Sequence, residues 1–185
     1  MLKIGIIIGS TRPGRNAEQV SKWYYEVAKK RTDAEFELID IADYNLPLLD
    51  EELPAGWNQY AKEHTKKWAA KIAEFDGFVM VTPEYNHAPS AALKNAIDYL
   101  ALEWNNKAVA FVSYGSAMGV RAVEHLRLVA GELQMADIRQ QVMFSLFTDF
   151  EDMSVFKPGE GKDKSVNEQL DQLIPWTKAM KTVRG

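Results

Sequence analysis

Short apolar runs alternate with longer amphipathic stretches along the whole chain. Apolar runs bounded by glycine, proline or polar residues predict five strands, at residues 2–8, 35–40, 77–82, 108–113 and 141–147. Apolar side chains that recur every three to four positions predict five helices, at residues 15–31, 58–75, 90–103, 119–133 and 166–180. The pattern therefore predicts strands and helices in regular alternation.

The predicted strands are apolar at most positions, which is typical of a parallel sheet covered by helices on both faces. Five β–α units fit one domain, residues 1–185, of the α/β class: a three-layer doubly wound five-stranded parallel sheet with the flavodoxin-like order 2-1-3-4-5. Ligands of such folds bind beyond the carboxyl ends of the strands, at the switch point. We therefore expect the function in the loops after the first, third and fourth strands.

Some parts of the pattern are less regular. Residues 44–57 contain two prolines and a glycine and predict a long loop. Residues 147–165 predict either a solvated connector or a mobile segment that closes over a neighbouring site, and Pro175 predicts a bend or a restart in the last helix. Tyr99, Leu100 and Trp104 lie at the end of the third predicted helix. These side chains are expected either in the core or at a subunit contact.

Composition and charge narrow the range of functions. The net charge is -4, the pI is about 5.5 and the longest basic run is residues 29–31, so no nucleic-acid partner is predicted. The absence of cysteine excludes disulfides, thiolate nucleophiles, zinc–thiolate sites and thiol redox chemistry, and it suits a cytoplasmic location. No apolar run approaches the roughly 20 residues of a membrane helix, and the three scattered histidines do not suggest a metal site.

The first loop, residues 9–16, reads Gly-Ser-Thr-Arg-Pro-Gly-Arg-Asn. Its first glycine permits a tight turn, Ser10 offers a hydroxyl group, and Arg12 and Arg15 offer positive charge. The helix that follows adds free backbone N–H groups and the positive end of its dipole. The loop therefore predicts an anion site, most naturally for phosphate. The alternative is a Gly/Pro turn with two solvated arginines.

The same loop nearly matches the P-loop of nucleotide hydrolases, with Gly9, four residues and Gly14 followed by Arg15 and Asn16. A P-loop ends in Lys and then Ser or Thr, and its enzymes place an acidic metal ligand at the end of another strand. The third and fourth predicted strands end without an aspartate. The dinucleotide fingerprint G-x-G-x-x-G is absent as well, so neither nucleotide motif is predicted.

The second loop, residues 82–89, reads Thr-Pro-Glu-Tyr-Asn-His-Ala-Pro and joins a buried strand to a helix. Its prolines stiffen the backbone, so that N–H and C=O groups point in fixed directions. Such a loop suits a flat heteroaromatic ring with a donor and acceptor edge, such as an isoalloxazine, with Tyr85 lying against it. The alternative is a rigid connector in which Ser90 caps the next helix.

The third loop, residues 113–119, reads Ser-Tyr-Gly-Ser-Ala-Met-Gly. Its two glycines permit close approach of the backbone to a ligand. Its small residues leave one face of a flat ring open to a second substrate. The alternative is a flexible Gly/Ser turn.

Together these loops resemble the NADPH-dependent FMN reductase family, which includes quinone, azo-dye and chromate reductases. The likeness rests on residues 9–12 (GSTR), 82–86 (TPEYN), 93–98 (LKNAID), 103–104 (EW) and 111–115 (FVSYG). It spans roughly residues 1–145. It implies a flavodoxin-like domain that binds FMN and passes two electrons, by ping-pong hydride transfer, from NADPH or NADH to a quinone, flavin, azo compound or similar small-molecule acceptor.

The resemblance also implies roles for individual residues. Phosphate contacts are expected from Ser10, Arg12, Arg15 and Asn16. Contacts to the isoalloxazine, largely through backbone groups, are expected from Pro83, Glu84, Tyr85 and Asn86. Contacts on the other side of the ring are expected from Ser113, Gly115 and Ser116. No catalytic side chain is assigned, because the flavin carries the chemistry, and a homodimer or a tetramer is expected.

Two alternative functions remain at this point. The first is an FMN-binding electron carrier that NAD(P)H does not reduce directly, and the second is a flavin-sensing protein. A carrier usually shows a strongly acidic docking face. A net charge of -4 over 185 residues is modest and favours the enzyme.

Overall fold

The centre of the fold is a five-stranded parallel sheet, seen in a computed structural model that describes residues 1–185. The strands are β1 (Leu2–Ile8), β2 (Ala34–Asp40), β3 (Gly77–Pro83), β4 (Ala108–Gly115) and β5 (Ala136–Ser145). Every neighbouring pair is parallel and the spatial order is β2-β1-β3-β4-β5. The predicted fold class and strand order are confirmed.

Five helices cover the two faces of the sheet: α1 (Ala17–Ala28), α2 (Glu63–Ala73), α3 (Ala91–Asp98), α4 (Val120–Glu132) and α5 (Lys162–Arg184). One buried cluster joins the sheet to α1 and α5, and a second joins it to α2, α3 and α4. None of the helices has both the length and the apolar character that a membrane span needs.

Strand β1 shows why both faces must be covered. Ile4, Ile6 and Ile8 point into the α1–α5 cluster, and Ile7 points into the opposite cluster. Side chains alternate between the faces of a strand, so a run of isoleucines is buried only if helices lie on both sides. Strands β3 and β4 are buried along their whole length, and their carboxyl ends meet the end of β1 at one edge of the sheet.

Four of the five predicted helices are longer than the observed ones, α4 by only one residue at each end, whereas the prediction for α5 is shorter than the observed helix. Helix α1 begins at Ala17 rather than at residue 15, and α3 ends at Asp98 rather than at residue 103. Helix α2 begins at Glu63 rather than at residue 58, because the Glu51 carboxylate accepts the N–H groups of the two preceding residues at 2.9 Å and holds them outside the helix.

Strand β5 begins five positions earlier than predicted, at Ala136 rather than at residue 141. Its pairing with β4 shifts register between Val109 and Phe111, so residues of β5 bulge out of the ladder there. A bulge breaks the alternation of apolar and polar positions, which is why the sequence pattern missed the first half of the strand.

Residues 147–165, predicted to be a solvated connector or a mobile segment, are mostly exposed, but they are not irregular throughout. A small antiparallel hairpin, β6 (Phe150–Glu151) and β7 (Val155–Phe156), forms there. The Gln19 side chain on α1 donates to Ser154 O at 2.8 Å and accepts from the N–H of Phe156 at 3.0 Å. The hairpin is therefore attached to the first helix beside the first loop.

The structure also answers what the sequence left open about Pro175, the end of the third predicted helix, and residues 44–57. Helix α5 runs through Pro175 without a restart, with Leu173, Ile174 and Thr177 buried around it. Tyr99, Leu100 and Trp104 are at most 1% exposed and belong to the core rather than to a subunit surface. Residues 44–57 form a loop apart from the short 3-10 turns at either end.

Candidate functional site

The first loop leaves β1 under tight steric constraint. The N–H of Gly9 donates to Val81 O at 2.9 Å, and a Cβ on this glycine would lie 2.2 Å from the same oxygen. Only glycine fits here. Ser10 is buried and its Oγ lies 3.4 Å from the N–H of Arg12, while residues 11–14 are exposed. The loop thus leaves the sheet at a fixed point and presents its middle to solvent.

The first backbone N–H groups of α1 have no acceptor within the helix and no side-chain cap. The helical ladder begins where the N–H of Val20 donates to Asn16 O at 3.1 Å, so the N–H groups of residues 17–19 have no helical acceptor. The side chain of Asn16 does not cap them, because its amide donates to Met153 O of the hairpin at 2.9 Å. Free N–H groups and the helix dipole make this end of α1 suitable for an anion.

The two arginines of the first loop have different surroundings. Arg15 pairs with Asp40 at the end of β2 and lies 3.9 Å from Glu18, so its charge is compensated within the protein. Arg12 is exposed and makes no ion pair. Arg12 is therefore the cation of the loop that is free to attract an anionic ligand.

The second loop is a tight two-residue turn at the end of β3. Tyr85 and Ala88 exchange backbone hydrogen bonds of 2.9 and 3.1 Å, and Asn86 and His87 between them have φ of 48° and 73°. Two successive positive φ angles are typical of a type I′ turn, a conformation that asparagine tolerates well. The turn leaves Asn86 and His87 exposed at the edge of the site.

Two hydrogen bonds join the second loop to the first. The Tyr85 hydroxyl lies 3.2 Å from Ser10 Oγ. Ser90 Oγ donates to Gly9 O at 2.5 Å and accepts the N–H of Leu93 at 3.0 Å, which makes Ser90 the cap of α3. The ends of β1 and β3 therefore form one connected surface.

Glu84 connects the second loop to the third. Its carboxylate is only 4% exposed, accepts the backbone N–H of Arg121 at 3.2 Å and Nε at 2.5 Å, and also pairs with the Nη2 group of the same arginine. Its own N–H donates to Tyr114 O at 3.0 Å. Glu84 was expected to contact an isoalloxazine largely through its backbone, but its N–H and its carboxylate are both bonded within the protein.

The third loop is held by hydrogen bonds of Ser113, a buried residue of β4. Ser113 is buried, and its hydroxyl donates to Met118 O at 2.7 Å and accepts from the Gln141 side chain at 2.8 Å. A Cβ at Gly115 would lie 3.2 Å from the Glu84 Cβ, so the second and third loops touch at this glycine. Ser116 is exposed beyond it.

An open cavity of about 420 Å³ lies beside the first loop, on the side of the sheet that carries α3. Three parts of the chain line it: Thr11 of the first loop, Ile41, Ala42, Asn45 and Leu46 after β2, and Ala92, Asn95 and Ala96 of α3. Its size lies in the usual range of small-ligand sites.

The model of the NADPH-dependent FMN reductase family matches residues 2–149. The chain belongs to this family. It is 44% identical over 135 residues to an NAD(P)H-dependent FMN reductase of Schizosaccharomyces pombe, covering 72% of this chain and 68% of that protein. It is 32% identical over 149 residues to an NAD(P)H:quinone oxidoreductase of Solanum tuberosum, covering 78% of this chain and 75% of that protein.

A solved structure shares the fold of this FMN reductase family member over nearly its full length. The flavoenzyme FerB of Paracoccus denitrificans, an NAD(P)H:(acceptor) oxidoreductase, superposes with a TM-score of 0.75 at 20% identity, covering 97% of this chain and 99% of that one. At that identity the likeness supports the fold alone. The resemblance of the sequence to the FMN reductase family is confirmed by the family match.

Two buried hydrogen-bond donors near the first loop bear on whether the site of this family member fits FMN. Arg15 Nε and the Tyr114 hydroxyl are buried and have no hydrogen-bond partner. Buried polar groups are nearly always bonded in native proteins, so orphaned donors close to an open helix N-terminus indicate a missing acceptor. A phosphate group, with several acceptor oxygens and negative charge, fits this donor set.

The predicted site residues of this family member converge, but they fall into two groups. The ligand contacts of the first group remain predictions; it comprises Ser10, Arg12, Arg15, Pro83, Tyr85, Asn86, Gly115 and Ser116. Within it, the backbone oxygens of Pro83 and Gly115 already accept hydrogen bonds from the protein. The side chains of Asn16, Glu84 and Ser113 are bonded to the protein itself. The sequence did not indicate roles for Arg121 and Gln141. Arg121 lies 37 positions after Glu84 and Gln141 lies 28 positions after Ser113, and no motif links them to these partners.

Proposed function

We propose that this chain is an FMN-dependent NAD(P)H oxidoreductase that passes two electrons to a quinone, flavin, azo compound or similar small-molecule acceptor. The observation that carries the proposal is the contact between Ser10 and Tyr85. It joins an anion site at the end of β1 to an aromatic loop at the end of β3. FMN has a phosphate at one end and a flat ring at the other, and so matches such a surface.

The free groups of the first loop would hold the phosphate. Arg12 would supply charge, and the open N–H groups at the start of α1 would supply directed hydrogen bonds. Asn16 would take part through its backbone, since its side chain holds the hairpin. Ser10 would serve both loops, because its hydroxyl already lies between Arg12 N–H and the Tyr85 hydroxyl.

The second and third loops would hold the ring from two sides. Pro83, Tyr85 and Asn86 offer a stiff backbone and an aromatic face on one side, and Gly115 and Ser116 offer a close, open backbone on the other. Bound FMN would supply the two-electron chemistry, and the protein would supply its position and surroundings. Glu84 would act as a brace, since its carboxylate ties the second loop to α4.

Residues 1–185 are proposed to work as one FMN-binding domain in the cytoplasm, where nicotinamide nucleotides are available. We propose a homodimer or a tetramer as the working assembly. Large apolar side chains exposed between residues 48 and 57 support a subunit contact: Leu48, Leu49, Leu53 and Trp57. Light scattering on the purified protein tests the assembly, and a monomer contradicts it.

The function is tested with protein that has been incubated with FMN and freed of unbound flavin by gel filtration. Retained flavin absorbance and steady oxidation of NADPH or NADH in the presence of a benzoquinone are the expected results. Double-reciprocal plots at several quinone concentrations should be parallel, as ping-pong kinetics require. Retained flavin without NAD(P)H oxidation supports an electron carrier instead, and no retained flavin contradicts both.

A further inference from the structure

Tyr114 is the one fully buried tyrosine whose hydroxyl has no partner. Tyr24 donates to Gln169 Oε1 at 2.9 Å, and Tyr99 donates to Asp50 Oδ1 at 2.9 Å. The Tyr114 residue is 4% exposed and its hydroxyl oxygen makes no hydrogen bond. Leaving a buried hydroxyl unbonded destabilises the fold, so this arrangement points to an acceptor that arrives with a ligand.

The position of the hydroxyl follows from the strand that carries it. Tyr114 is the second-last residue of β4 and pairs in register with Pro83 of β3. Its side chain enters the cluster on the α1 side of the sheet, with the ring centroid 5.9 Å from that of Phe150 on the hairpin. The same cluster contains Ala17, the first residue of α1, so the ring lies between the sheet and the beginning of that helix.

The electrostatic surroundings of the hydroxyl agree with this position. Burial raises the pKa of Tyr114, and the charge of Tyr85 acts in the same direction. Three groups lower it: the charges of Arg12 and Arg15 and the nearby backbone N–H of Ala17. All three groups belong to the first loop or to the first residue of α1. Because its pKa is raised, Tyr114 keeps its proton near neutral pH and remains a hydrogen-bond donor.

We propose that the Tyr114 hydroxyl is a further ligand of the FMN phosphate, donating to one of its oxygens from beneath the N-terminus of α1. The inference rests on the proposed function, since it names a residue of the same phosphate site. Arg12 and the helix N–H groups approach the phosphate from the solvent side. Tyr114 approaches from the sheet.

The structure leaves a route by which the phosphate reaches this hydroxyl. Residues 11–14 above it are exposed, and the Arg12 side chain makes no ion pair that would hold them in place. The loop is tied at its ends, by Gly9 to β3 and by Asn16 to the hairpin. The middle of the loop is held by hydrogen bonds within the loop itself, from Arg12 N–H to Ser10 Oγ and from Arg15 N–H to Arg12 O. The phosphate would therefore reach the hydroxyl through an outward movement of residues 11–14.

The test compares FMN with riboflavin, which has the same ring and no phosphate, in wild-type protein and in Tyr114→Phe. The substitution should raise the Kd for FMN about tenfold or more, as expected for a lost hydrogen bond to a charged group, and leave the Kd for riboflavin unchanged. Thermal unfolding without flavin should show equal or higher stability for Tyr114→Phe, because the removed hydroxyl is unbonded in the free protein.

Tyr24→Phe is the matched control, since it removes an equally buried hydroxyl that is already bonded to Gln169. It should lower the stability of the flavin-free protein and leave the preference for FMN over riboflavin unchanged. An unchanged FMN Kd in Tyr114→Phe, or an equal loss for both flavins, overturns the inference alone. Wild-type protein that binds neither flavin overturns the proposed function and the inference together.

Discussion

The carboxylate of Glu84, at the end of β3, accepts both the backbone N–H and the guanidinium of Arg121, in the first turn of α4. Glu84 is nearly inaccessible, whereas the Arg121 side chain is 42% exposed. The pair connects the two loops that would lie on either side of the isoalloxazine. It therefore sets the distance between them before any ligand is bound.

Glu84→Gln should loosen this connection. The amide retains the shape of the carboxylate but loses the charge that holds Arg121, so we expect the free energy of unfolding to fall by about 1–3 kcal/mol and FMN to bind more weakly. Urea unfolding and fluorescence titration measure the two effects. Glu151→Gln removes an exposed pair with Lys157 and serves as the control, with a change below about 0.5 kcal/mol. Equal effects of the two substitutions contradict the role of Glu84 as a brace.

Arg12→Ala should affect mainly FMN binding, whereas Arg15→Ala should also affect the stability of the flavin-free protein. Arg12 has no partner in the protein, so its loss should leave the stability of the flavin-free protein unchanged and raise the Kd for FMN about tenfold. Arg15 compensates Asp40, so its loss should lower the free energy of unfolding by about 1–2 kcal/mol even without flavin. Unchanged FMN affinity in Arg12→Ala shows that backbone N–H groups alone hold the phosphate.

Lys107 should give the stability of the protein a measurable pH dependence. It is 5% exposed, its Nζ donates to Ile72 O at 2.9 Å, and burial is the main cause that lowers its pKa to about 8. Between this value and the ordinary 10.5 the unfolded chain holds a proton that the folded protein has released, so stability rises with pH across this window. The full gain amounts to about 3 kcal/mol.

Lys107→Met should abolish that rise. The free energy of unfolding is measured for wild-type protein and for Lys107→Met at a series of pH values between 7 and 10.5. The wild type should gain stability relative to the variant as the pH increases. Lys178→Met, at an exposed lysine, is the control and should follow the wild type. Parallel curves for wild type and Lys107→Met contradict a buried lysine with a lowered pKa.

The fold was predictable because its strongest signals are local. The isoleucines of β1 and the apolar runs of β3 and β4 are buried on both faces, and only a covered parallel sheet accommodates them. The hairpin at residues 150–156 has no such signal. Each of its strands is two residues long, and it is held by Asn16 and Gln19 on a distant part of the chain.

The candidate site was predictable in its place but less so in its contacts. Glycine, serine and proline at the ends of the strands marked the three loops. The partners of Glu84 and Ser113, and the unbonded state of the Tyr114 hydroxyl, depend on packing between elements that are far apart in the sequence. A sequence motif indicates which residues approach a ligand, whereas the structure is needed to show which of their groups are still free.

The most direct test of the proposed function is an anaerobic titration of the FMN-loaded protein with NADPH and with NADH, followed by absorbance. We predict that one of the nucleotides bleaches the flavin at one equivalent per bound FMN, and that a benzoquinone added afterwards restores the oxidised spectrum. A flavin spectrum that stays unchanged in excess NADPH and in excess NADH contradicts the account.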